Sequence, residues 1–244
     1  MAGKKSAASA GGQGGAARDG GAQGSGRPAN AVPSGKRGGA SGGQGDGHSN
    51  SHGRGRQGAH RRKPERVPCR LERPVFFVGF MGAGKTSVSR RLARLCGISS
   101  IDMDSYIERR DGRRIRDIFA EDGEGFFRDL ETQVLRELTQ AEPALVSCGG
   151  GVVLRPENRE LLREGGFTVF LKVEADEAKS RISDPSTRPL LGDAEAARKT
   201  NAERLPLYEE VADATVDTSG RGVTALAFAV RSILEREGVL WRLK

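Results

Sequence analysis

Gly79-Phe80-Met81-Gly82-Ala83-Gly84-Lys85-Thr86 follows the apolar run Val75-Phe76-Phe77-Val78 and precedes a stretch where Val88, Leu92 and Leu95 recur at helical spacing. It matches G-x-x-x-x-G-K-[ST], with strand, loop and helix in the order that pattern requires. Glycines let the backbone curl so that successive N–H groups face phosphate oxygens. The helix that follows presents its positive dipole end to the same place. Lys85 supplies a point charge for the β- and γ-phosphates, and Thr86 a hydroxyl for Mg²⁺. The nucleotide set is therefore Gly82, Ala83, Gly84, Lys85, Thr86 and Ser87. The motif does not name the phosphoryl acceptor.

Outward from this loop, apolar runs at Ile98–Asp102, Ala144–Ser147, Thr168–Val173 and Ala214–Asp217 predict four more strands. Helical patterns separate them at Ser105–Arg110, Gly125–Thr139, Pro156–Glu164, Glu177–Ile182, Ala194–Val211 and Val223–Glu237. Five strands alternating with helices predict one α/β domain over residues 67–244, a five-stranded parallel sheet flanked by helices. Leu240-Trp241-Arg242-Leu243 either packs on this domain or lies free.

Residues 1–66 differ in kind. They hold 12 Lys/Arg against 3 Asp/Glu, while the remaining residues hold 28 against 29, so the formal charge of +8 belongs to the tail. The first 60 residues carry 19 of the 35 glycines, all three histidines and no Phe, Trp or Tyr. Such a segment has too little to bury to offset its ordering entropy and is expected to be disordered. Its clusters Gly53-Arg54-Gly55-Arg56 and His60-Arg61-Arg62-Lys63 suit an acidic surface, yet no aromatic residue is present for base stacking. A solvated extension is the competing reading.

Several classes are excluded. The predicted domain has no histidine, which removes histidine catalysis and histidine-ligated metals. Cys69, Cys96 and Cys148 have no metal-ligand spacing and read as reduced thiols of a cytoplasmic protein. No apolar run is long enough to span a membrane. Lys4 and Lys5 are followed by no apolar stretch, so no secretory signal is expected.

The acceptor side is marked by charge and glycine. Asp102 and Asp104, at i and i+2 of a predicted strand end, are expected to point together from the sheet edge where ligands bind, with a helix-capping role for Asp104 as the competing reading. Arg128 and Glu131 share a helical face, as either site residues or a surface ion pair. The strand ending at Ser147-Cys148 runs into Gly149-Gly150-Gly151, more glycine than a turn needs, implying close backbone approach to a ligand. That strand end lacks the acid that often helps hold Mg²⁺, leaving Asp102 as the nearest candidate. Arg188 lies in a Pro- and Gly-rich stretch that reads as a mobile loop bringing in a cation, and Pro206 offers a way to aim Arg204 inward.

From Arg73 to Val239 the chain resembles the shikimate kinases. GFMGAGKT at 79–86, IDMD at 101–104, FRDLE at 127–131, GGG at 149–151, RPLL at 188–191 and ERLPLYEEVA at 203–212 carry the resemblance in order and spacing. It implies a P-loop kinase fold with a lid, and transfer of the ATP γ-phosphate to the 3-hydroxyl of shikimate with Mg²⁺ present. Asp104 would bind the ring hydroxyls and act as base. Arg128 and Arg204 would clamp the carboxylate, on a floor made by Gly149, Gly150 and Gly151. Arg188 would neutralise phosphate charge, Lys85 would join it in catalysis, and Arg181 would stack on adenine. Thr86 and Asp102 would serve the metal, and Glu131 would orient the arginines. Two alternatives stay open: a kinase of another hydroxy-acid such as gluconate, and a nucleotide-dependent nucleic-acid-binding protein using its basic tail. A cytoplasmic monomer, without membrane contact and without nucleic acid as a main partner, is expected.

Overall fold

The computed structural model describes residues 67–181 and 194–243. Strand β2 (Val75–Val78) is the centre of a parallel sheet. Its four residues are fully buried, and their side chains alternate between two cores. Val75 and Phe77 join the core on one face, Phe76 and Val78 the core on the other. Helices cover both faces, so an unbroken apolar run is what this position requires.

Around it lie β3 (Ser100–Asp102), β4 (Leu145–Ser147), β5 (Phe167–Lys172) and β6 (Ala214–Asp217), in the order β3-β4-β2-β5-β6. Every neighbouring pair is parallel. The five predicted strands are all present, with ends displaced by up to two residues. Among the described residues, no helix is long and apolar enough to cross a membrane.

Helix α1 (Lys85–Cys96) begins at Gly84 and ends at Gly97, both in the left-handed region. Val88, Leu92 and Leu95 are buried as their spacing predicts. Helix α2 (Met103–Asp111) starts two residues before the predicted Ser105, because Asp102 caps it by accepting the Ser105 N–H at 3.1 Å. Asp104 is therefore not the cap, and it sits in the helix's first turn instead of at the strand end. The expectation that both carboxylates leave one strand in parallel is corrected accordingly.

Helix α3 (Ile115–Glu121) is additional to the predicted set, and α4 (Gly123–Gln140) begins after a single residue's break at Asp122. A 3-10 turn (Val152–Leu154) leads into α5 (Pro156–Gly165), which opens on proline as expected. Helix α6 covers Ala175–Ser180, α7 Ala194–Val211 and α8 Val223–Arg236. Pro206 lies within α7 and does not divide it.

The C-terminal segment packs. Strand β7 (Leu240–Arg242) pairs antiparallel with β1 (Cys69–Leu71), matching Leu71 to Leu240 and Cys69 to Arg242. The Val67 N–H also meets the Leu95 carbonyl at 3.1 Å. Val67 therefore lies at the far end of α1, about 18 Å along a twelve-residue helix from the phosphate loop. Residues 1–66 and the Arg188 segment lie outside the described residues.

Candidate active site

The central strand β2 delivers the phosphate loop to the carboxyl edge of the sheet. Gly82 has φ 80°, and a Cβ there would lie 2.5 Å from the Ala178 carbonyl oxygen. Only glycine lets the loop pass the α6 backbone this closely. Gly84 caps α1 without any side-chain bond, and no acid sits in the helix's first turn. The helix end is left positive for an anion. Lys85 Nζ donates to the carbonyls of Gly79 at 2.8 Å and Phe80 at 3.0 Å, which fixes the ammonium across the loop.

Thr86 gathers three oxygens from three elements. Its hydroxyl donates to Asp102 Oδ2 at 2.8 Å and lies 3.0 Å from Ser147 Oγ. Ser147, at the end of β4, is buried. A carboxylate and two hydroxyls, with Thr86 in the middle, are all oxygen donors of the kind Mg²⁺ takes, so these residues fit the ion that the loop implies. Sequence reading passed over Ser147, and nothing in its local pattern marks it.

Each of the three successive glycines lies under a different acceptor-side group. A Cβ on Gly149 would sit 2.9 Å from Asp104 Oδ1 and 3.1 Å from Glu131 Oε1. The Gly150 carbonyl accepts from Arg204 Nη1 at 3.1 Å and from the Tyr208 hydroxyl at 2.5 Å. A Cβ on Gly151 would overlap the Arg128 guanidinium. The surplus of glycine therefore has a steric cause, and β4, α2, α4 and α7 converge on it.

Arg128 is braced from two sides. Its Nη1 donates to Glu131 Oε2 at 2.7 Å and its Nη2 to Glu124 Oε1 at 3.0 Å. Glu131 is 1 % exposed, so this is no surface pair. Burial pushes the Glu131 carboxyl up, against the pull of Arg128, and Asp104 adds to the rise. On Arg128, burial opposes the charge, but Glu131 and Glu124 outweigh it. Burial also drives the Cys148 thiol far above its usual range, which leaves it inert.

Arg181, just past α6, donates to Glu177 Oε1 at 2.6 Å and to the Thr218 carbonyl and hydroxyl at 2.6 and 2.9 Å. It stands beside the loop after β6, apart from the glycine triplet. Ser87 is exposed at the start of α1. Tyr208, within the quoted LPLY segment, carried no role in the sequence reading; its bond to the Gly150 carbonyl places the fully buried side chain at the site.

A family model described as SKI: Shikimate kinase matches residues 81–235. A shikimate kinase of Burkholderia lata is 43% identical over 169 residues, covering 68% of this chain and 92% of the relative. One from Bordetella avium is 43% identical over 160 residues, covering 64% and 77%. Among solved structures, a shikimate kinase from Acinetobacter baumannii in complex with shikimate superposes with a TM-score of 0.64 at 36% identity, covering 68% of this chain and 94% of that one. The Aquifex aeolicus enzyme gives 0.61 at 29% identity, covering 68% and 98%.

Proposed function

This chain belongs to the shikimate kinase family, and we propose that the groups gathered on Gly149–Gly151 form the acceptor pocket of that activity. The chain is an ATP-dependent kinase that phosphorylates shikimate. The geometry supports the following division of labour. The loop amides of Gly82, Ala83 and Gly84, the first amides of α1 through Ser87, and Lys85 receive the ATP phosphates. Arg181, held on Thr218 beside the loop after β6, would stack on the base.

Arg128 and Arg204 take the acceptor's carboxylate, since guanidinium forks match its two oxygens. Their approach to adjacent glycines, Arg204 at Gly150 and Arg128 at Gly151, supports this. Asp104 binds the ring hydroxyls and accepts the proton of the 3-hydroxyl as the new P–O bond forms and the γ-phosphorus bond to the bridging oxygen breaks, with ADP as the leaving group. Mg²⁺, held by Thr86, Asp102 and Ser147, would supply charge neutralisation on the phosphates. Most of the rate then comes from holding the hydroxyl in line with the γ-phosphate. Phosphoryl transfer asks for no other covalent chemistry from the protein. Three buried free cysteines support a reducing, cytoplasmic setting.

The observation that supports this pocket best is Gly149 lying within van der Waals reach of both Asp104 and Glu131. The test is ADP release with Mg²⁺ and either shikimate or gluconate, on the wild type and on Asp104→Asn. Shikimate-dependent turnover that falls at least about 100-fold in the variant, with ADP affinity kept, is expected. Full activity in the variant would remove Asp104 from its role. Turnover on gluconate instead would move the pocket to the other hydroxy-acid.

A further inference from the structure

The Gly150 carbonyl oxygen accepts two hydrogen bonds from one helix face. Arg204 and Tyr208 are four residues apart on α7, so their side chains emerge on the same side, one turn apart. Arg204 Nη1 reaches the oxygen at 3.1 Å and the Tyr208 hydroxyl at 2.5 Å. A carbonyl has two lone pairs, and both are used.

Tyr208 has no freedom to do anything else. Its side chain is 0 % exposed and its ring stacks on Phe170 of β5 at 5.3 Å between centroids. The ring packing would be served equally by phenylalanine. What the hydroxyl adds is a short bond to a backbone oxygen in the floor of the acceptor pocket and a hydrogen bond with the Arg204 side chain itself. Burial pushes this phenol up to about 12, against the pull of Arg204, so it is a protonated donor near neutral pH.

We propose that Tyr208 is a positioning residue for the acceptor: its hydroxyl pins the Gly150 carbonyl, and that pinned oxygen sets where the Arg204 guanidinium stands. The inference rests on the reading of Arg204 as a clamp for the acceptor's carboxylate. Without the hydroxyl, the Gly150 peptide is held by Arg204 alone. The arginine then anchors the floor, where before the floor anchored the arginine, and its fork no longer meets the carboxylate in a fixed place. Gly150 also lies near the phosphate loop, a Cβ there being 3.8 Å from the Gly79 carbonyl oxygen and from the Met81 nitrogen, but the loop takes its shape from β2, α1 and α6, so the nucleotide half should feel the loss of this bond less.

Tyr208→Phe, Arg204→Ala and the double variant test this by steady-state kinetics. The shift of the unfolding midpoint by shikimate and by ADP is read in parallel. Tyr208→Phe should raise the shikimate KM about three- to ten-fold and leave the ATP KM within about two-fold, as loss of the hydroxyl's hydrogen bonds implies. The shikimate-induced shift should shrink while the ADP-induced shift remains. The double variant should be no worse than Arg204→Ala, because the hydroxyl acts through that side chain.

An unchanged shikimate KM in Tyr208→Phe, with a raised one in Arg204→Ala, overturns the inference and leaves the clamp standing. An unchanged shikimate KM in Arg204→Ala overturns the clamp and the inference with it. Full additivity in the double variant, equal rises in both KM values, or loss of both ligand-induced shifts each overturns it as well. In the last two cases the hydroxyl serves the fold as a whole.

Discussion

Glu131 holds Arg128 at 2.7 Å from a position that is 1 % exposed. The pair is i,i+3 on α4, and the same carboxylate lies against Gly149. An ionised group kept this far from water carries a desolvation cost, visible in the raised Glu131 carboxyl. The site bears that cost to keep one guanidinium in one place.

The neutral isostere Glu131→Gln keeps the shape and removes the charge. Arg128 then leans on Glu124, which is well exposed and a weaker brace. The shikimate KM should rise about ten-fold, equivalent to about 1.4 kcal/mol, with the ATP KM unchanged. Initial rates across both substrates check this, and equal rises would assign Glu131 to the fold.

Asp102 performs two tasks that two substitutions can separate. It accepts the Ser105 N–H at 3.1 Å as the cap of α2, and the Thr86 hydroxyl at 2.8 Å. Asparagine retains an acceptor for the cap, and alanine does not. Asp102→Ala should lose about 1 kcal/mol of stability and Asp102→Asn much less. Both should need more Mg²⁺ for half-maximal turnover. Chemical denaturation and an Mg²⁺ titration measure the two effects. An unaltered Mg²⁺ requirement in Asp102→Asn would detach this residue from the metal.

Glu177 sets a pH dependence of known sign. The Gly220 N–H at 2.9 Å and the Arg181 guanidinium at 2.6 Å hold its carboxyl below the ordinary value of 4.5. A lowered folded value means the unfolded chain binds the proton more tightly. The stabilisation is therefore complete above about 4.5 and is lost as pH falls through the folded value. The stability advantage of the wild type over Glu177→Gln should be largest near neutrality and vanish in acid. Urea midpoints of both chains across that interval decide it. A constant difference would mean that the ionised form plays no part.

The described residues begin at Val67, whose N–H meets the Leu95 carbonyl at the end of α1 away from the phosphate loop. A chain beginning at Val67 should keep both KM values, kcat and the unfolding midpoint. One beginning at Arg73 also loses β1, uncovers Leu240, and should be destabilised by about 2–4 kcal/mol. Thermal unfolding and turnover of the two shortened chains give the comparison. Salt-dependent retention of DNA or RNA by the full chain, absent from the Val67 chain, would assign the basic tail a second activity.

Much of this architecture is legible in short stretches. Val75–Val78, the glycines to Gly84 and the period of Val88, Leu92 and Leu95 specify strand, loop and helix within twenty-odd residues, because pleat and helical repeat are local properties. The triplet Gly149–Gly151 likewise announces close approach. The short pieces escape such reading. β1 and β7 have three residues each, too few for an alternation to show, and α3 is separated from α4 by one residue. The start of α2 was displaced because a strand-ending Asp102 also serves as its cap.

By itself, then, the sequence determined the phosphate loop, the sheet and the charged groups available to an acceptor, since each is written in adjacent residues. The tertiary structure alone decided which of those groups meet. Ser147 reaches Thr86 across 61 positions, and Tyr208 reaches Gly150 across 58. Such meetings depend on the order β3-β4-β2-β5-β6 and on how α4 and α7 pack over it. Those are set by burial of two cores at once, a property of the whole chain that no local pattern carries.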